Sequence, residues 1–282
     1  MRKERQMYYE KRFKLTKDNY HSREANLQYW SASLVKEFLS CEAMAYAELV
    51  GEYERPSTEA LMIGSYVDAA FESDKAFRAF RLEHESELFR KDGKLRAEYV
   101  KADEMIKRAK SDPVFMRFMQ GRHQVVMTAT LFGVPFKAKF DVLRDNWKVD
   151  DKRIVDLKTV RDFKPMYREG EGRLDFASYW RWPTQMALYQ AIYEKRKGQK
   201  LPCYLAVITK EDPPDIAIVR IPQEQLDAEM DFLAEKMERF KAVKAGIIEP
   251  ERCEKCAWCR MTKRLTGPID LDWYGTMKGE NE

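Results

Sequence analysis

Histidine is scarce in this 282-residue chain, and the three present, His21, His84 and His123, share no ligand spacing. Each reads as structural or exposed, and no Ser–His–Asp arrangement can be argued. No apolar run approaches the roughly 20 residues of a membrane span, and the first 17 residues, dense in Lys, Arg, Glu and Tyr, lack the apolar stretch of a secretion signal. A cytosolic protein is expected. No glycine is followed by Lys-Ser or Lys-Thr at the spacing of a phosphate loop, which excludes an ATP-driven motor of that type. Charge of one sign is also missing: 51 basic residues stand against 47 acidic ones, so any nucleic-acid site must come from local clustering. The five cysteines are an odd number, and Cys253, Cys256 and Cys259 crowd together, which suits reduced thiols on a metal better than a disulfide framework.

What is present is core material. Hydrophobic residues make up 44% and recur periodically, enough for one large domain or a domain with an appendage. Ser31 or Ser33 offers an N-cap to a helix carrying Leu34, Phe38 and Leu39 toward Cys41, and a second helix is expected from about Ser57 with Leu61, Ile63, Val67 and Phe71. From Gln124 the period changes to two. Val126 to Leu131 and Phe136 to Leu143 read as strands around the break Phe132-Gly133-Val134-Pro135, and Arg153 to Thr159 as a third after the polar turn Asn146 to Lys152. A long basic loop, a helix from Pro183 to Lys197, strands Leu201 to Thr209 and Ile216 to Ile221, and a charged amphipathic helix Gln223 to Ala245 follow. The predicted class is α/β, with a helical N-terminal part (1–30 an extension), a main domain over 31–245 and a cysteine-rich tail over 246–282 packed on it.

The most informative stretch is Lys139-Phe140-Asp141-Val142-Leu143 and then Ile154-Val155-Asp156-Leu157-Lys158-Thr159. Side chains two apart on a strand share a face, so Asp156 and Lys158 point together while Val155 and Leu157 face the other way. If the two strands are neighbours, Asp141 joins them. Two carboxylates and an ammonium at one end of a small sheet suit chemistry on phosphodiesters: hard oxygens for Mg²⁺ or Mn²⁺, and a lysine to orient or deprotonate water. Asp150-Asp151-Lys152 spells the same pattern in the preceding turn, without an apolar pair to bury it.

Asp141 with Asp156-Leu157-Lys158-Thr159 resembles the D…(D/E)-x-K core of the restriction-endonuclease-like nucleases, especially the RecB/RecE-type branch of phage exodeoxyribonucleases. Gln185 and Tyr189, one helical turn apart, resemble that branch's glutamine–tyrosine motif, Ser33-Leu34 through Cys41 its opening helix, and Gly64-Ser65-Tyr66-Val67-Asp68 with Glu72 its glycine, histidine and glutamate helix. Asp68 stands where the family usually has histidine. The resemblance implies a mixed sheet flanked by helices, catalytic Asp141, Asp156, Lys158, Gln185 and Tyr189, and metal positions at Asp68, Asp141, Asp156 and Leu157. It also implies an ATP-independent exonuclease resecting duplex DNA ends in phage-type recombination, a homo-oligomer, a single-strand annealing protein as partner, and the host cytoplasm if the chain is phage-encoded.

Arg161, Lys164, Arg168, Arg173 and Arg181, interleaved with Phe163, Tyr167, Tyr179, Trp180 and Trp182, offer a candidate DNA-contacting segment. Cys253, Cys256 and Cys259 form a candidate metal centre, an iron–sulfur cluster ahead of zinc, because Cys-x-x-Cys-x-x-Cys is tighter than most zinc ribbons, and the resemblance to iron–sulfur nucleases of this kind implies Cys41, at the end of the opening helix, as the fourth ligand. Cys203 lies in an apolar strand and reads as a buried structural thiol. A CRISPR-adaptation-like iron–sulfur nuclease and a non-catalytic DNA-binding module remain the alternatives.

Overall fold

A computed structural model describes residues 13–56, 58–146, 151–265, 267, 268 and 271. The first part of the expected N-terminal extension, the tip of the turn before the third strand and most of the end of the tail lie outside the described residues.

Among the described residues eight helices precede the first strand: α1 (Arg23–Gln28), α2 (Ala32–Ser40), α3 (Glu42–Val50), α4 (Glu59–Glu72), α5 (Asp74–Glu83), α6 (Glu85–Leu88), α7 (Ala97–Lys110) and α8 (Pro113–Phe118). Their starts are written in short polar side chains. Ser31 accepts from the Leu34 amide at α2, Thr58 from Leu61 at α4, and Asp112 from Phe115 at α8, where Pro113 occupies the first turn. Of the two serines that could cap α2, Ser31 does so and Ser33 is exposed.

Then come β1 (Arg122–Leu131), β2 (Val134–Arg144), β3 (Arg153–Val160), β4 (Met166–Arg168), β5 (Gly172–Leu174), α9 (Phe176–Tyr179), α10 (Trp182–Lys197), β6 (Cys203–Thr209), β7 (Ile216–Ile221), α11 (Gln223–Lys244) and the one-turn α12 (Ala257–Met261). Five strands form one sheet in the order β1-β2-β3-β6-β7, antiparallel throughout except for the parallel β3–β6 pair. That crossover runs through α10, as a parallel connection requires. The break expected over 132–135 is shorter in the fold. Phe132 (φ 50°) and Gly133 (φ 75°) alone turn the chain, both left-handed as a two-residue hairpin demands, and pairing resumes at Val134. The expected basic loop is not structureless either, since β4 and β5 form a small hairpin that leads into α9.

The central strands are apolar on both faces because helices cover both. On one face Phe136, Phe140, Leu143, Ile154 and Leu205 pack with α2, α10 and α11 through Phe38, Met186, Leu188 and Met237. On the other, Val142, Val155, Leu157 and Ile208 pack with α4 and α7 through Val67, Ala102 and Met105. Each of the larger of these side chains is worth roughly 1.5–3 kcal/mol of burial, so a one-residue slip of β3 would cost both cores at once and the register is strongly specified. Among the described residues no helix is long and apolar enough to cross a membrane.

Candidate active site

The site begins where the β2–β3 ladder stops. Pairing covers only Val142↔Val155, Leu143↔Ile154 and Arg144↔Arg153. One step further the register would put Asp141 opposite Asp156, but the strands part there. Asp141 fills the opening with its side chain, Oδ2 accepting from the Leu157 amide at 2.9 Å in place of a backbone carbonyl. Alternation along β2 also slips at this point: Phe136, Ala138 and Phe140 face the first core, and so does Leu143. Opposite the slip Gln124 has a φ of 51°, and it donates to Asp141 Oδ1 at 3.4 Å. Such a local irregularity re-aims one side chain without ending the strand.

Asp156 is 1% exposed. Its Oδ1 accepts from Gln185 Nε2 at 2.8 Å, and its Oδ2 lies 2.5 Å from the Lys158 ammonium with no partner of hydrogen-bond geometry. An enclosed carboxylate oxygen without a hydrogen bond is costly unless a cation takes it. Burial drives the Asp141 carboxyl well above the usual range, with Asp156 and Asp68 adding repulsion. Burial works against the Lys158 ammonium, but Asp156, Asp141 and Asp68 outweigh it and keep Lys158 charged. Its Nζ also sits 5.7 Å from the Trp182 ring centre.

α10 presents both members of the glutamine–tyrosine pair. Gln185 contacts Asp156 as described, and Tyr189 is buried with its ring 5.0 Å from Phe140, its phenol pushed up by burial and by Tyr20, Asp156 and Asp141 nearby. A group that sequence reasoning missed completes the chain of contacts. Lys36 on α2 donates to Gln185 Oε1 at 3.0 Å, and burial together with the Lys158 charge lowers it to about 8. With its oxygen taken by an ammonium, Gln185 must turn its amide nitrogen to Asp156. Only its position two residues after Leu34 in the opening helix marked Lys36, and nothing in that spacing points at a residue 149 positions away.

Asp68 lies on α4 beside this cluster. Burial raises its carboxyl to about 7, and Asp156 and Glu72 add to the effect while Lys158 opposes it. Three carboxylates thus repel one another around one ammonium, which pairs with Asp156 Oδ2. The rival Asp151 faces elsewhere, paired with Arg144 at 2.5 Å and with Arg153. Its neighbour Asp150 lies outside the described residues.

Much of the expected DNA-contacting segment is spent on structure. Arg168 donates to Glu171 and to the carbonyls of Ser178 and Tyr179, Arg181 pairs with Glu171, and Arg161 with Asp162. Trp182 is in the core, and Phe163 packs on Phe176. Tyr167 and Trp180 are the two large aromatics of the segment that are more than half exposed.

The four thiols named from sequence meet at the other end of α2. Cys41 ends α2, Cys253 precedes α12, Cys256 caps its start and Cys259 lies within it. Among the described residues this is the one group of three or more Cys, His, Asp or Glu side chains whose ligand atoms all lie within 4.8 Å of one another, and it could bind a metal. Cys203 is buried in β6 as expected.

A five-stranded mixed sheet whose diverging central strands carry Asp141 and Asp-x-Lys defines the restriction-endonuclease-like nuclease superfamily. Residues 31–262 match the PDDEXK-like domain of unknown function (DUF3799), and the chain belongs to that family. It is also similar to the crystal structure of a presumed exonuclease from Eubacterium rectale, with 36% identity and a TM-score of 0.85 over 93% of this chain and 98% of the other. No match is found among curated proteins. The RecE-type branch is not distinguished by these likenesses.

Proposed function

We propose that this protein is a metal-dependent, ATP-independent exodeoxyribonuclease, and that Asp141, Asp156 and Lys158 carry the hydrolysis. The observation behind this is the pairing of two crowded buried carboxylates with one ammonium at the point where β2 and β3 part. Asp141, Asp156 and the Leu157 carbonyl, with Asp68 nearby, would hold Mg²⁺ or Mn²⁺, which when bound would supply Lewis-acid polarisation of the scissile phosphodiester. Lys158, kept charged by its neighbours, orients the attacking water and stabilises negative charge as it develops on the phosphate. Gln185 holds Asp156 in one orientation, and Tyr189 walls the site against bulk water. Tyr167 and Trp180 offer exposed rings for an unpaired base at a strand end. The family resemblance extends the reading to resection of duplex ends in phage-type recombination by a homo-oligomer that passes its product to an annealing protein.

Incubation with linear and circular duplexes, with and without Mg²⁺, tests the reading. Degradation of linear DNA alone is expected; nicked circles point to an endonuclease, and metal-independent or absent cleavage overturns the assignment.

Lys36 acts at one remove. Lys36→Met is expected to lower kcat about tenfold with KM for DNA nearly unchanged, because Asp156 loses its fixed orientation while the substrate surface stays intact. Gln185→Ala follows the same split and adds little to Lys36→Met when combined, since the two residues form one chain of contacts. Additive losses would mean that Lys36 acts by another route.

A further inference from the structure

We infer that Cys41, Cys253, Cys256 and Cys259 hold a single zinc ion as a structural clasp, and not an iron–sulfur cluster. This stands apart from the nuclease reading and does not rest on it.

The separations between the sulfurs decide the matter. Cys41 Sγ lies 3.6 Å from Cys259 Sγ and 3.8 Å from Cys256 Sγ, Cys253 Sγ lies 4.0 Å from Cys259 Sγ, and all four fall within 4.8 Å of one another. Four thiolates about 2.3 Å from one central ion stand about 3.8 Å apart along each edge of the tetrahedron. In a four-iron cluster each thiolate reaches outward from a different corner, which stretches the same edges to roughly 6 Å. The quartet is therefore too tight to enclose a cube and the right size for one ion. It is also too wide for disulfides, and the cysteines are free.

Two main-chain amides point at the sulfurs. The Cys256 amide donates to Cys253 Sγ at 3.3 Å and the Cys259 amide to Cys256 Sγ at 3.4 Å, a repeat that the two-residue spacing produces and that stabilises negative sulfur. Arg252 donates to the Cys259 carbonyl at 2.5 Å and brings a positive charge beside a site whose four thiolates exceed the charge of one divalent ion. The two chain segments are prealigned by further contacts: Glu42, 6% exposed, takes Arg239 through both oxygens at 2.8 Å and the Glu251 amide at 2.8 Å, while the Ala43 amide donates to the Glu251 carbonyl at 3.0 Å. Four protein ligands leave no open position for water or substrate, which marks a structural site. The clasp ties the α2–α3 junction to residues more than 200 positions later and so fixes the far end of the helix that carries Lys36.

The full-length protein, purified once in air and once without oxygen, is assayed for zinc, iron and acid-labile sulfide. One zinc per chain, no iron, no sulfide and no visible colour are expected from both preparations, with stoichiometric zinc release as a mercurial titrates the thiols. Iron in either a mononuclear or a sulfide-containing form, or protein free of both metals, overturns the inference. Cys256→Ser should lose the zinc and lower the thermal midpoint by about 10 °C or more. If that variant does not accumulate folded, the metal content and mercurial titration of the unaltered protein still decide. Asp156→Ala must keep its zinc, which separates this result from failure of the nuclease reading.

Discussion

Asp156→Ala is expected to reduce DNA cleavage by about a thousandfold or more while leaving DNA affinity within a few-fold of the unaltered protein, and Asp141→Ala and Lys158→Ala should behave alike. Each removes a group that acts on charge developing at the phosphate, and none of them packs the core. The expectation for stability is less obvious. Removing a carboxylate of this cluster deletes repulsion that adds to burial in raising Asp141 and Asp68, while Asp141 and Asp68 remain beside Lys158 to hold its charge once the Asp156 ion pair is lost. In metal-free buffer, Asp156→Ala should therefore melt no lower than the unaltered chain, the usual behaviour of a site whose strain serves chemistry. Single-turnover rates on end-labelled duplex, fluorescence anisotropy and thermal melts read the three quantities. Retention of more than a tenth of the rate in Asp156→Ala would remove this residue from the mechanism.

Asp151→Ala should show the reverse pattern, with stability lost and chemistry kept. The Asp151 carboxylate joins Arg144 and Arg153, both nearly buried, with Arg117 3.7 Å away. Each buried guanidinium has a further partner, Gln120 Oε1 for Arg144 and the Arg117 carbonyl for Arg153, and Asp151 is itself partly exposed, so the loss is set at about 2 kcal/mol, below that of a fully buried pair. The effect should depend on pH. Burial alone would raise the Asp151 carboxyl, but Arg153, Arg144 and Arg117 outweigh it and hold it below the ordinary value. A lowered folded-state pKa gives stability that is present above the unfolded value of about 4 and lost as pH falls through the folded one. Denaturation midpoints of variant and parent should thus differ at pH 7 and converge in acid below about pH 4, with specific cleavage rates at pH 7 within about twofold. A cleavage defect in Asp151→Ala without loss of stability would place the catalytic pattern in the turn.

The sequence by itself determined the order of elements and the identity of the acidic cluster, because both follow from short-range periodicity. Period two puts Asp156 and Lys158 on one face whatever surrounds them, and the apolar pair Val155 and Leu157 anchors that face against the second core. The same logic placed the β6 and β7 strands almost to the residue and set Asp151 apart from Asp156. Tertiary structure decided whatever depends on side chains distant in sequence. The slip at Asp141 arises from pairing with Gln124, the capture of Arg168 and Arg181 by Glu171 and main-chain carbonyls takes them from the DNA-facing set, and Lys36 meets Gln185 only because α2 and α10 pack on one face of the sheet. A Cys-x-x-Cys-x-x-Cys spacing is compatible with a cluster or a single ion. The fold brings Cys41 to within 4.0 Å of two of the C-terminal sulfurs, and the size of the enclosed space is a property of two chain ends brought together and not of either end alone.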